Sequence, residues 1–188
     1  MDVDFLSEFG LPVPQDYVRA VAEMGMEESA EYTIRRFGLP LTPEQVMDRW
    51  REMVRQKYHE EVQLKPGAWA LLHALHATDW RLGIATALER ALYQPCLERV
   101  GVWSLFCACA EVGESRDKAY PDLYLLAAER MGVEPQHCVV YEDIVKGIRG
   151  AKGAGMKTVG VYDETSAYQW PLMCELADET VYSLEEIR

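Results

Sequence analysis

Glu142 and Asp143 stand side by side at the end of the apolar run Cys138-Val139-Val140-Tyr141, and a Gly- and Ala-rich stretch, 146–156, follows them. An apolar run of that length, closed by charge and followed by helical periodicity, predicts a buried parallel strand feeding a helix. The two carboxylates then fall at the carboxyl end of a strand, where open α/β sheets bind ligands. Neighbouring carboxylates repel, so a cation compensates them, and a hard divalent ion such as Mg²⁺ suits oxygen donors. The competing reading is a solvated acidic turn. Two more strand ends bear on that choice. The run 81–85 leads into Thr86 and Ala87, setting a hydroxyl at the sheet edge, and the loop after the run 105–110 carries Lys118-Ala119-Tyr120-Pro121-Asp122. A hydroxyl, an ammonium and an acid pair at one edge of a parallel sheet form a phosphate site: Thr86 donates to phosphoryl oxygens, Lys118 balances developing charge, and the acids hold the metal. Each alone has a plainer role, because a threonine after a strand is commonly an N-cap and a loop lysine is usually solvated. Their order and spacing together give them weight.

The elements that must position these residues are legible in outline. From 14 to 60 the pattern is helical, broken at Gly25, at Gly38-Leu39-Pro40 and at Thr42-Pro43-Glu44. Thr42 is a good N-cap, with Pro43 in the first helical position and Gln45 completing a capping box. A shorter amphipathic helix, 27–37, ends at Gly38. From about Gln63 the rhythm alternates: a helix to Ala77, a strand at 81–85, a helix at 89–100, a strand at 105–110, a helix at 121–131, a strand at 138–141, a helix at 146–154, a strand at 158–161, a helix at 167–177 and a short strand at 180–182. Such alternation predicts an α/β domain, 63–188, with a mostly parallel sheet covered on both faces, after a small helical subdomain, 1–62.

Bulk properties narrow the partners. Nearly half of the 188 residues are apolar, enough for a sizeable core, and the net charge of −12 argues against nucleic acid or an anionic membrane surface. The five cysteines, at 96, 107, 109, 138 and 174, form neither a redox motif nor a zinc knuckle, which points to a reducing cytosol. No apolar segment is long enough to span a membrane and no leader pattern opens the chain, so the expectation is a soluble cytoplasmic protein.

At this point the chain resembles the haloacid dehalogenase-like superfamily, in its β-phosphoglucomutase-like phosphatase subgroup with a helical cap. The second motif of that family is similar to Gly83-Ile84-Ala85-Thr86 and its third, Lys-Pro-x-Pro-Asp, to Lys118-Ala119-Tyr120-Pro121-Asp122, with Ala119 in place of the first proline. The fourth is similar to Tyr141-Glu142-Asp143-Ile144, continuing through Gly147 to Ala154-Gly155-Met156. Ile144 in place of Ser, and Ala87 in place of the usual Asn or Ser, remove polar contacts near the phosphate. The resemblance implies a Rossmann-like parallel core, a helical cap closing through hinges near 62–66, and Mg²⁺-dependent phosphoryl transfer to or from a small phosphorylated metabolite. It implies that Thr86, Ala87 and Lys118 bind phosphate, that Thr86 and Lys118 serve catalysis, and that Glu142 and Asp143 hold the metal.

One piece of the pattern has no match. Family members open on an apolar strand ending in Asp-x-Asp-Gly-Thr, where the first aspartate attacks phosphorus and the second is the general acid/base. Asp2-Val3-Asp4 has the letters of Asp-x-Asp, but Phe5-Leu6 follows, and the segment runs straight into Phe9-Gly10-Leu11-Pro12, a turn after a first cap helix. Asp2 is thus a weak candidate nucleophile. The expectation is that a strand, loop and part of a helix, on the order of 20 residues, are absent, leaving unpaired edges beside a central slot. The chain alone is then expected to be inactive. Two alternatives stand beside a phosphatase: a non-catalytic scaffold of the same fold, and a phosphoglucomutase-type mutase. Other constellations read as structural: His73 and His76 as a helix-surface pair, Trp50, Tyr58, Met24 and Met26 as core rather than pocket, and Arg19, Arg35, Arg36 and Arg49 as a solvated face.

Overall fold

The computed structural model describes residues 2–21 and 24–187, without the side chains of Asp2, Val3 and Val112. The chain divides into two compact units, Met1–Val62 and Gln63–Arg188.

The first unit is helical: α1 (Asp2–Ser7), α2 (Gln15–Val21), α3 (Met26–Phe37) and α4 (Pro43–Glu60). Helix α3 stops at Gly38, whose φ of 64° is the left-handed conformation a side chain resists. Helix α4 starts with the expected capping box: Thr42 Oγ1 accepts from the Gln45 N–H at 3.3 Å, and Gln45 Oε1 accepts from the Thr42 N–H at 2.9 Å. Its inner stripe buries Val46, Trp50 and Met53 against Phe5, Leu6 and Tyr17, so Trp50 is core. Met26, by contrast, is exposed. Arg35, Arg36 and Arg49 pair with Glu31, Asp16 and Glu8 on the surface, where solvent screening leaves such contacts little weight.

The second unit alternates as the sequence predicts: α5 (Ala68–His76), β1 (Leu82–Thr86), α6 (Arg90–Arg99), β2 (Phe106–Glu111), α7 (Asp122–Met131), β3 (Val139–Glu142), α8 (Val145–Gly153), β4 (Lys157–Val161), α9 (Trp170–Leu176) and β5 (Glu179–Val181). Every pairing is parallel. The strands form two sheets, β1-β2 and β3-β4-β5, consistent with the expected unpaired edges beside a central slot. Among the described residues β1 pairs with β2 alone and β3 with β4 alone. Helix α7 ties the halves together, because Ala85 of β1 and Val140 of β3 pack against one cluster that includes Leu123, Tyr124 and Ala127.

Some boundaries moved. Thr86 and Glu142 are the last residues of their strands rather than the first residues beyond them. The helix expected at 167–177 begins as a 3₁₀ stretch, Glu164–Gln169, and becomes α-helical at Trp170 with Pro171 in its first turn. His73 stacks on Trp69 at 3.8 Å and hydrogen-bonds with its carbonyl oxygen, and no group of three metal-ligating side chains occurs among the described residues. No described helix is long and apolar enough to cross a membrane.

Candidate active site

Glu142 closes β3 with only 6% of its surface exposed. A carboxylate in that position must be compensated, since an unpaired buried charge is very costly. Its Oε1 accepts from Lys118 Nζ at 2.6 Å and from the Tyr124 hydroxyl at 3.0 Å, while Oε2 accepts from the Asp143 N–H at 3.3 Å. Burial, then the adjacent Glu142 charge, pushes the Tyr124 phenol well above its ordinary value, so it remains a donor.

The loop before α7 is built to present Lys118. Asp117 makes the turn: its side chain accepts from the Ala119 N–H and its carbonyl from the Tyr120 N–H, each at 2.9 Å. Lys146, and then the Ala119 amide, hold the Asp117 carboxyl below its usual value. Arg116 grips both oxygens of Asp122, at 2.7 and 3.1 Å, and lies 4.3 Å over the Tyr120 ring. Helix α8 seals the site through two glycines three apart, on one face. A Cβ at Gly147 would lie 2.3 Å from the Glu142 carboxyl carbon, and one at Gly150 2.1 Å from the Lys118 carbonyl oxygen.

Asp143 goes the other way, because successive side chains alternate about an extended backbone. Half-buried, it lies 3.4 Å from Lys65 Nζ, and the same ammonium pairs with Asp163. Ser166 Oγ donates to the Asp143 carbonyl at 2.7 Å, and Gln169 Oε1 accepts from the Val145 N–H at 3.0 Å, capping α8. Thus each acid of the pair has its own lysine. Thr86 Oγ1 accepts from the Leu88 N–H at 3.0 Å, which tightens the turn and leaves the hydroxyl hydrogen to donate outward. Ala87 is exposed just beyond and offers only backbone. Glu111, opposite Thr86 in register, accepts from the Tyr93 hydroxyl at 3.0 Å and the Arg90 N–H at 3.2 Å. Asp2 begins α1, but its side chain lies outside the described residues.

Sequence reasoning placed Gly147 in the fourth motif but gave no role at the site to Tyr124, Gly150, Glu111, Lys65 or Asp163. Tyr124 lay two residues after Asp122, and the glycine spacing of three on a helix was a readable signal. Lys65 and Asp163 are 98 residues apart and had none.

Burial alone would raise the Asp163 carboxyl, but hydrogen bonds from Lys65 and Thr165 outweigh it and hold it down to about 2, against an ordinary 3.8. A carboxyl depressed in the folded state stabilises the fold above its unfolded value and loses that contribution as pH falls through the folded one. Asp163→Asn should therefore cost up to about 2 kcal/mol near pH 7 and progressively less between pH 4 and 2. Denaturant titrations of both proteins across that range check this; a constant difference would show that the charge is not the cause.

The parallel α/β unit thus carries Thr86 and Glu142 at two strand ends, Asp143 just beyond the second, and Lys118 in the loop before α7. Residues 8–155 match the haloacid dehalogenase-like hydrolase family, and the chain belongs to it: it is an enzyme of the phosphatase type. YhcW of Bacillus subtilis, a protein classed as a phosphatase, is 30% identical over 158 residues, covering 84% of this chain and 70% of the relative. A phosphorylated-carbohydrate phosphatase of Thermotoga maritima is 24% identical over 152 residues, 80% of this chain and 70% of that protein. Among solved structures, a family hydrolase from Deinococcus radiodurans with bound phosphate and sodium superposes with a TM-score of 0.75 at 24% identity, covering 99% of this chain and 83% of that one.

Proposed function

We propose that this protein is a Mg²⁺-dependent phosphatase of small phosphorylated metabolites, sugar phosphates above all. The observation that carries the reading is the buried Lys118–Glu142 pair, braced by Tyr124, beside the more open carboxylate of Asp143. In this reading Lys118 neutralises charge on the phosphoryl group, and Glu142 and Tyr124 fix the ammonium in place. The Thr86 hydroxyl donates to a phosphoryl oxygen. Asp143 is an oxygen donor of the kind a hard cation prefers and would hold Mg²⁺, while Glu142, turned inward to Lys118 and Tyr124, is not free to share it. When bound, Mg²⁺ screens the anionic substrate. The carbohydrate phosphatase among the relatives supports the substrate class. The cysteine spacing, which forms neither a redox motif nor a zinc knuckle, fits a reducing cytosol as the compartment.

The nucleophile belongs to none of these groups. Glu111, Glu142, Asp143 and Asp163, the acids at these strand ends, are each held by a cation or a donor within the fold. The 188-residue chain is therefore expected to show no Mg²⁺-dependent release of phosphate from a panel of sugar phosphates and nucleotides. A form extended upstream by an apolar strand ending in Asp-x-Asp-Gly-Thr should be active. Turnover by the short form that disappears in Asp2→Asn would overturn this assignment. An extended form that folds and binds Mg²⁺ but hydrolyses nothing would favour the non-catalytic scaffold.

A further inference from the structure

Lys65 stands where the chain turns into α5, its carbonyl accepting from the Ala68 N–H at 3.0 Å. Its ammonium lies between two carboxylates that follow neighbouring strands, Asp143 just past β3 and Asp163 shortly after β4. The sharing is unequal. Asp163 is the nearer and accepts a hydrogen bond from the ammonium, whereas Asp143 lies 3.4 Å away. Asp163 is also oriented for this contact. It caps the 3₁₀ stretch Glu164–Gln169, with Oδ1 accepting from the Thr165 N–H at 2.8 Å and from the Thr165 hydroxyl at 2.5 Å, which leaves Oδ2 to Lys65. The Asp143 carboxylate has Lys65 as its charge partner, and no other among the described residues.

Without Asp163 the ammonium would close on Asp143, the remaining carboxylate within its reach. A direct, charge-assisted pair there would compete with Mg²⁺, which gives up its waters reluctantly. We propose, on the reading of Asp143 as the Mg²⁺ ligand, that Asp163 is a positioning residue: it holds the Lys65 ammonium aside and so keeps Asp143 open to the cation.

The test is a titration of the full 188-residue chain with Mn²⁺, an oxygen-preferring divalent probe whose free form is counted by electron paramagnetic resonance. It is run near pH 7, with circular dichroism showing that each variant is folded. The parent chain should bind one Mn²⁺ that Mg²⁺ displaces. Asp163→Asn should weaken binding by at least about fivefold. Adding Lys65→Met should restore it to within about twofold of the parent, because the competing ammonium is gone. Lys65→Met alone should bind at least as tightly as the parent. Glu164→Gln, which removes an exposed charge next to Asp163, should change the affinity by less than about twofold. Unchanged affinity in Asp163→Asn overturns the assignment, and so does a loss that Lys65→Met fails to repair, since Asp163 would then be a ligand or a structural support. Equal losses in Asp163→Asn and Glu164→Gln would leave net charge as the cause, and weaker binding by Lys65→Met would make Lys65 a support rather than a competitor; either result overturns it too. If the parent chain binds no Mn²⁺, the Mg²⁺ reading of Asp143 itself fails, and the role of Asp163 with it.

Discussion

Lys118→Met should destabilise the protein by about 3–5 kcal/mol at pH 8, lowering its melting temperature by on the order of 10 °C. The ammonium it removes lies 2.6 Å from a carboxylate whose side chain is 5% exposed. Loss of surface ion pairs of the kind seen on α3 would scarcely register, whereas here a buried charge is stranded. Tyr124 still donates to Glu142, but one hydroxyl does not replace a cation. One further measurement separates this cause from simple loss of packing. Adding Glu142→Gln should restore roughly half of the loss or more, because a neutral amide keeps the Tyr124 contact. If the double variant is as unstable as the single one, the ion pair is not what Lys118 contributes. On the proposed role of Lys118 at the phosphoryl group, Lys118→Met should also reduce turnover by about 10²–10³-fold.

Gly150→Ala should destabilise by about 2 kcal/mol or more and loosen the site, although alanine is the better helix former by about 1 kcal/mol. The added methyl carbon would stand 2.1 Å from the Lys118 carbonyl oxygen and 2.7 Å from the Tyr124 ring. The first of these is backbone in a loop tied down by Asp117 and Arg116, so it does not yield cheaply. Gly153→Ala on the same helix is the control. There the nearest atoms belong to Pro121 at 3.8 Å, an ordinary contact, so the substitution should be neutral or stabilising by a few tenths of a kcal/mol. Opposite signs at positions three apart, read from urea unfolding, would identify close approach as the role of Gly150. Equal effects would mean that helix propensity alone decides both.

Local chemistry was legible in the chain. The capping box at Thr42-Gln45, the stops at Gly38 and Gly132, and the strand–helix alternation after Gln63 depend on residues within a turn or two of one another, so the sequence by itself determined them. It also determined that Thr86 and Glu142 stand at strand ends and that Lys118 precedes a helix, because periodic apolar runs bound those positions. Boundaries slipped by a residue or so, since the end of a strand is set by where its neighbour stops pairing.

Tertiary structure alone decided how the acid pair divides. Glu142 and Asp143 are adjacent in sequence, yet one turns inward to Lys118 and the other outward to Lys65 and Asp163. Alternation about the strand separates them, and lysines from distant segments, Lys118 for Glu142 and Lys65 for Asp143, give each its charge balance; no local pattern encodes such contacts. Which strands pair, β1 with β2 and β4 with β3 and β5, is likewise a property of the folded chain, because backbone pairing joins segments far apart in sequence.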